Sequence, residues 1–391
     1  MKAIPTAGYR AHGFTLIELM LSTAIISLIM LILVSVTTQT SATWRYTTGK
    51  IEQFRESRAA FESITTKISQ ATLNTYWDYG YDSSTPPLPT RYERRSELRF
   101  NSGSADALIG SIGPVDGSGE KGTRVTHAVF FHAPIGIVGS ANPQYHGLES
   151  LLNVWGYYVE LNSDGNFRPP FLTSAASPPP LRYRFRLMEF MQPSENLGTY
   201  GYTSGVAGGK PVATTYQGTE WFKNAVNALS TNAVPSPSRP VAENIIALII
   251  TPRLSKRDEQ EVKKGALEID SSPLAPKYSY DSSLTKNDGQ AGTDPRINPK
   301  NQLPPVLQIT MVAIDETSAA RLNLGTATGD IFKLKGKFAD TTKYTSDLVV
   351  QPGAAADVSL ENTLIDKKVN YRIFTTNVPI RAAKWSRDQV N

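Results

Sequence analysis

Apolar residues are unevenly spread along this chain. From Phe14 to Val36 they form a nearly unbroken run of 23 residues whose only charge is Glu18, long enough as a helix to cross the roughly 30 Å of a bilayer's hydrocarbon layer. Beyond it, Trp44, Ile51, Phe54, Phe61, Ile64 and Ile68 recur mostly at steps of three and four, with Arg55, Glu56, Lys67 and Gln70 between them. That spacing predicts an amphipathic helix continuing the first. No proline occurs between Pro5 and Pro86, and Gly49 is the sole glycine between Phe14 and Leu73. One helix from Phe14 to about Leu73 is therefore expected, roughly 90 Å long at 1.5 Å per residue. Its second half would pack on a globular head.

The pattern changes after Leu73. Between Tyr76 and Thr90 the chain is rich in Tyr, Asp, Ser and Pro, and Pro86-Pro87 acts as a helix stop. Strand character follows at Glu97 to Phe100, Val125 to His132, Trp155 to Leu161 and Leu181 to Met188. Trp155 to Leu161, followed by Asn162-Ser163-Asp164-Gly165-Asn166 and Phe167, reads as a hairpin. Gly198 to Thr219 reads as a mobile loop and Trp221 to Leu229 as a short helix. Asn244 to Thr251 and Leu303 to Asp315 contain continuous apolar runs, expected as strands buried on both faces. The charged, Pro- and Ser-rich stretch 256–300 between them reads as a loop insertion. Asp315 to Leu322 reads as a helical turn, and Ile331 to Leu334 and Lys367 to Asn377 as late strands. The expected fold class is α+β: a long amino-terminal helix packed on a predominantly antiparallel β-sheet head with long loops.

The amino terminus is the most specific feature. A leader carrying Lys2 and Arg10 ends in Gly13-Phe14-Thr15-Leu16-Ile17-Glu18. A secretory signal would have an apolar core of about 7 to 15 residues before a small-residue cleavage site; this run is longer and passes directly into helical patterning, so it is expected to stay on the mature protein. The segment resembles the prepilin signal of the type IV pilin and type II secretion pseudopilin superfamily. The resemblance implies cleavage between Gly13 and Phe14 by a prepilin peptidase and methylation of the new amino-terminal Phe14. It implies a pilin-like fold, insertion in the bacterial inner membrane with a periplasmic head, and assembly with other pilin or pseudopilin subunits into a periplasmic or surface filament. A carboxylate near the bilayer core costs about 2.5–3.5 kcal/mol on insertion scales. In the superfamily the glutamate at the position of Glu18 pairs with the amino terminus of a neighbouring subunit; a protonated or snorkelling carboxylate is the alternative. Many members carry a helix-weakening proline near the position of Ser35, which this chain lacks. The layout, with Leu303-Pro-Pro-Val-Leu-Gln-Ile-Thr310, is similar to the larger J-type and W-type minor subunits. Arg182 to Glu189 and Val312 to Glu316 are similar to the C member of the verrucomicrobial prepilin-like cassette family.

These readings divide the 391 residues into a leader (1–13), a membrane or filament-core helix (14–36), an amphipathic continuation (37–73) and a head (74–391). Loss of the leader lowers the formal charge of +5 by two, too little for a nucleic-acid partner to be expected. With 40% hydrophobic and 9% aromatic residues a packed core is expected, and the absence of cysteine excludes disulfides and thiolate chemistry.

Candidate chemistry is sparse. His12 leaves with the leader; His127 and His132, five apart on a strand, point to opposite faces, so satisfied or surface histidines are expected rather than a metal pair. Asn162-x-Asp164-x-Asn166 alternates oxygen ligands, but a calcium loop would need Gly where Phe167 stands and Glu where Thr173 stands. No Gly-x-Ser-x-Gly, His-Glu-x-x-His or phosphate-loop pattern occurs, so no cofactor and no catalysis are expected. The arginines between Arg91 and Arg99 read as solvated surface. Tyr76, Trp77, Tyr79 and Tyr81 read as core packing beneath the helix, with a sugar- or partner-binding face as the alternative. The expected function is that of a minor filament subunit. The alternative is an anchored adhesin or ligand-binding protein that uses the helix as a mount.

Overall fold

The computed structural model describes residues 15–110, 122–138, 147–148, 150–165, 168–174, 177–197, 199, 204–207, 210–213, 218–227, 237–263, 274–290, 295–322, 324, 330–351 and 359–385. The chain divides into two compact units, Met1–Gln53 and Phe54–Asn391, and helix α1 (Leu16–Ile68) contributes to both. Within the first unit, Leu16 to Val36 is exposed throughout.

In chain order the second unit carries β1 (Tyr76–Tyr81), β2 (Pro89–Arg95), β3 (Asn101–Ser104), α2 (Ala105–Ile109), β4 (Thr123–Ala133), β5 (Asn153–Ser163), α3 (Pro170–Thr173), β6 (Tyr183–Gln192), β7 (Ser204–Ala207), β8 (Lys210–Ala213), α4 (Glu220–Val226), β9 (Ser238–Glu243), β10 (Ile245–Arg253), α5 (Lys256–Lys263), β11 (Tyr280–Asp281), β12 (Val306–Ile314), α6 (Glu316–Arg321), α7 (Tyr344–Leu348), α8 (Leu360–Asp366) and β13 (Tyr371–Pro379). A six-stranded sheet has the order β11-β3-β4-β5-β6-β9 and a three-stranded sheet the order β10-β12-β13; β1-β2 and β7-β8 are separate ribbons. Every pairing among them is antiparallel. The fold is α+β and pilin-like, as the patterning predicts.

Both faces of the six-stranded sheet are covered, which explains why β5 reads as a continuous rather than alternating apolar segment. On one face Trp155, Tyr157 and Val159 join Ala60, Phe61, Ile64 and Ile68 of α1 and the apolar residues of β10 and β12. On the other, Val154 and Tyr158 join Phe130, Phe190, and Trp221, Phe222 and Val226 of α4. Gly156 lies between: a Cβ there would sit 2.3 Å from the Phe130 ring, and that ring stacks on Phe222 with centroids 3.8 Å apart. The missing side chain of Gly156 is what lets the stack form.

Asn244 takes the chain from β9 of one sheet into β10 of the other with φ 61°, a left-handed conformation that Asn tolerates better than most residues. Ile245 to Ile250 are fully buried. The edge of β10 away from β12 lies against the bulge between Val125 and Val129 of β4. There Thr126, at φ 56°, accepts the Leu248 N–H on its hydroxyl (3.0 Å), and His127 Nδ1 accepts the Ile250 N–H (3.0 Å). Two side chains thus satisfy backbone donors that would be costly to bury unpaired.

Several expectations are corrected. The predicted hairpin after Trp155 to Leu161 does not turn at Asp164-Gly165: β5 returns as β6, with Ser163 opposite Tyr183. Asp164 closes the base of that long connection, accepting the Arg182 N–H (2.9 Å) and pairing with Arg168 (3.0 Å). Glu97 to Phe100 precedes the strand rather than forming it, and Ile331 to Leu334 is a turn followed by irregular chain rather than a strand. Within 256–300, β11 pairs with β3 as an edge of the main sheet, and Leu274, Tyr278, Tyr280 and Ile297 are buried. Of Gly198 to Thr219, the described parts include the β7-β8 ribbon; the remainder lies outside the described residues. Tyr76, Trp77, Tyr79 and Tyr81 are not core: all four are exposed.

Candidate assembly segment

Gly13 and Phe14, the expected processing site, lie outside the described residues, which begin at Thr15. Glu18 occupies the third position of α1 and faces back to Thr15. Its carboxylate accepts the Thr15 N–H (2.9 Å) and the Thr15 hydroxyl (2.8 Å), while the Glu18 N–H donates to that hydroxyl at 3.4 Å. This is a capping box, in which two amides without helical partners at the amino-terminal end are satisfied reciprocally. Its signature, Thr-x-x-Glu, stands in the sequence and yields a local role for Glu18 beside the one implied by resemblance.

The helix beyond is suited to hydrocarbon. Leu16–Thr48 is the one helix among the described residues long and apolar enough to cross a membrane. Six of its hydroxyls are turned inward on the backbone: Ser22, Thr23, Ser27, Thr37, Thr38 and Thr40 each donate to the carbonyl four residues earlier. Polar side chains satisfied within the helix need no water, which is the requirement lipid imposes.

In the second unit, the last turns of α1 bury Ala60, Phe61, Ile64 and Ile68, with Phe54 half-buried. Of the other residues on the predicted apolar face, Trp44 is exposed within the first unit, and the Ile51 side chain lies outside the described residues. The sequence misses the polar half of the anchor. Lys67 pairs with Glu189 at 2.5 Å, and its ammonium lies 4.1 Å from the Trp155 ring centroid. The Glu189 side chain is 2% exposed and also accepts from Tyr157 (2.8 Å) and twice from Arg239 (3.0 and 2.6 Å). Burial opposes its ionisation, but the hydrogen bonds from Lys67, Arg239 and Tyr157 outweigh that and hold its pKa below the ordinary value.

A second carboxylate ties later segments together. Glu316 accepts from Arg182 and Arg184 on one oxygen (both 2.8 Å) and from Asn244 on the other (2.7 Å). The two stretches Arg182 to Glu189 and Val312 to Glu316 therefore meet.

The histidines are held inside the fold. His127 Nδ1 accepts from Ile250, so Nε2 carries the proton and donates to the Phe338 carbonyl at 2.9 Å. His132 Nδ1 donates to the Arg99 carbonyl (3.1 Å) and Nε2 accepts from Thr199 (2.7 Å); its ring stacks on Trp221 at 4.6 Å. Burial pushes both pKa values down to about 4. They serve opposite faces of β4. Among the described residues no group of three His, Asp or Glu is placed to hold a metal ion. In the oxygen-rich turn, Asn162 accepts from the Ser163 N–H, Asp164 is committed to Arg168 and Arg182, and Asn166 lies outside the described residues.

Comparison with known proteins adds one decisive observation: residues 9–34 match the family model described as a prokaryotic N-terminal methylation motif. The chain carries a type IV pilin-like signal. The match spans the expected cleavage point, Glu18 and most of the apolar run. A prepilin-type signal implies processing by a prepilin peptidase and pilin-family assembly, and the apolar helix behind it fits membrane anchoring. No curated protein and no solved structure matches the chain.

Proposed function

We propose that this protein is a minor pilin or pseudopilin: a prepilin inserted in the bacterial inner membrane, trimmed after Gly13, methylated on Phe14 and assembled through its apolar helix into a periplasmic or surface filament. The methylation motif at residues 9–34 carries this reading. In it, residues 14–36 supply the polymer core, and Glu18 pairs with the amino group of Phe14 on an adjacent subunit. The capping box is compatible with that role, because it holds the Glu18 carboxylate at the helix terminus. A head running from 74 to 391 is large for a subunit repeated along a thin filament, which favours a low-copy position near the tip.

Mass spectrometry of the amino terminus after expression with and without a prepilin peptidase tests the reading. The expected result is a peptidase-dependent start at methylated Phe14. An intact leader, or cleavage beyond the apolar run, would remove the protein from the pilin pathway.

A further inference from the structure

The β1-β2 ribbon has two unlike faces. Along β1, residues 77, 79 and 81 share one side by strand alternation, and the register places Arg94 opposite Trp77 and Tyr92 opposite Tyr79. The contacts agree: Tyr79 and Tyr92 ring centroids lie 5.0 Å apart, and the Arg94 guanidinium lies 5.4 Å from the Trp77 ring. Trp77, Tyr79, Tyr81 and Tyr92 are 58%, 46%, 55% and 65% exposed. Aromatic residues of this size normally fill cores or interfaces, so four in one strip mark a surface built to be covered. Successive rings on β1 are about 6.7 Å apart at the usual strand rise. The result is a linear platform with phenol hydroxyls along its length.

The platform is also braced. Arg94 donates to the Gln302 side chain (2.9 Å) and the Lys384 carbonyl (3.0 Å), and Asp82 accepts the Ser84 and Leu88 amides at the ribbon's tip (3.1 and 2.9 Å).

Charge and area select the occupant. On the opposite face Arg91 pairs with Glu93 (2.5 Å) and Arg95 with Asp78 (3.2 Å); Arg94 is bonded to two neutral acceptors, and Arg91, Arg94 and Arg95 are balanced in formal charge by Asp78, Asp82 and Glu93. Phosphate recognition requires guanidinium groups directed at the ligand, so a polyanion is disfavoured. Four half-exposed rings offer roughly 400 Å² of apolar surface, about half of the roughly 800 Å² per partner of a stable protein interface. What fits a narrow, neutral row of aromatic faces edged with hydroxyls is an extended ligand with apolar C–H faces and equatorial hydroxyls. We propose that this face binds a linear, neutral polysaccharide, with Trp77 and the paired rings of Tyr79 and Tyr92 stacking on successive sugar rings. The ribbon belongs to the head, so this inference does not depend on filament assembly.

The test uses the full chain in phospholipid nanodiscs, with empty nanodiscs as control. Cellohexaose, chitohexaose, maltohexaose and a single-stranded thymidine dodecamer are titrated calorimetrically at low and high salt. At least one neutral hexasaccharide should bind with an affinity indifferent to salt. Trp77→Ala and Tyr79→Ala should each weaken it tenfold or more, while leaving the thermal unfolding midpoint of these exposed positions unchanged; Tyr92→Ala, on the other strand, provides a second check. Failure of all three saccharides to bind, or binding indifferent to all three variants, overturns the proposal. So does preferential binding of the oligonucleotide with steep loss in salt, which would make the ribbon a base-stacking platform instead.

Discussion

Glu18 has two roles to separate, and the side chain itself offers the means. Gln is accepted at the third helical position of a capping box, so Glu18→Gln keeps the cap and removes the charge, whereas Glu18→Ala removes both. If pairing with a neighbouring amine drives incorporation, both variants should insert in the membrane yet fall several-fold in filament fractions by immunoblot. A Gln variant that incorporates normally would leave Glu18 a capping residue only. Gly156 is a residue whose importance lies in having no side chain. Gly156→Ala forces Phe130 off its stack on Phe222, and the overpacking should lower stability by about 1–3 kcal/mol, read by denaturant titration. An unchanged midpoint would mean that the sheet relaxes around the methyl group.

At the scale of elements, the end of α1 is held by apolar packing and by one buried carboxylate. Glu189→Gln leaves the site filled but removes the charge that Lys67 and Arg239 both use, and should cost about 1–3 kcal/mol. Because the native pKa of Glu189 is lowered, its contribution is present above the ordinary value of 4.5 and lost as pH falls below it; the Gln variant should show a shallower acid limb. The apolar half of this anchor was legible in the sequence, since Phe61, Ile64 and Ile68 fall on one helical face. Lys67 was not, because its partner is 122 residues away and helical periodicity carries only local information. β10 and β12 were legible for the same reason as the apolar helix face: uninterrupted apolar runs demand burial on both sides. The β5 return misled because Asp164-Gly165 satisfies local turn chemistry, whereas Asp164 accepts the Arg182 N–H from 18 residues away and so closes a longer connection. The exposed aromatics of β1 were misassigned because composition favours cores, and only the register of a ribbon shows which side meets solvent.

For the whole molecule, two buried neutral histidines make acid an opponent of the fold. Each ordinarily titrates near 6.5 but is held down to about 4 in the native head. The unfolded chain therefore takes up protons first: stability is complete above about pH 6.5 and declines as pH falls toward 4, at about 1.4 kcal/mol per pH unit for each group. Thermal unfolding midpoints should drop between pH 7 and pH 5; a flat profile would contradict the burial of His127 and His132 as neutral rings. The junction at His127 has a further consequence. The segment from Ile245 to Ile250 is six apolar residues, four of them isoleucine, without charge, glycine or proline, the composition of a steric-zipper core. Its free edge is closed by Thr126 and by an unprotonated imidazole, and a protonated one has no lone pair left for the Ile250 amide. The neutral ring of His127 thus helps to close this edge, and heads held near pH 4 are expected to raise thioflavin T fluorescence where heads at pH 7 do not; no rise would mean that the edge stays closed without it.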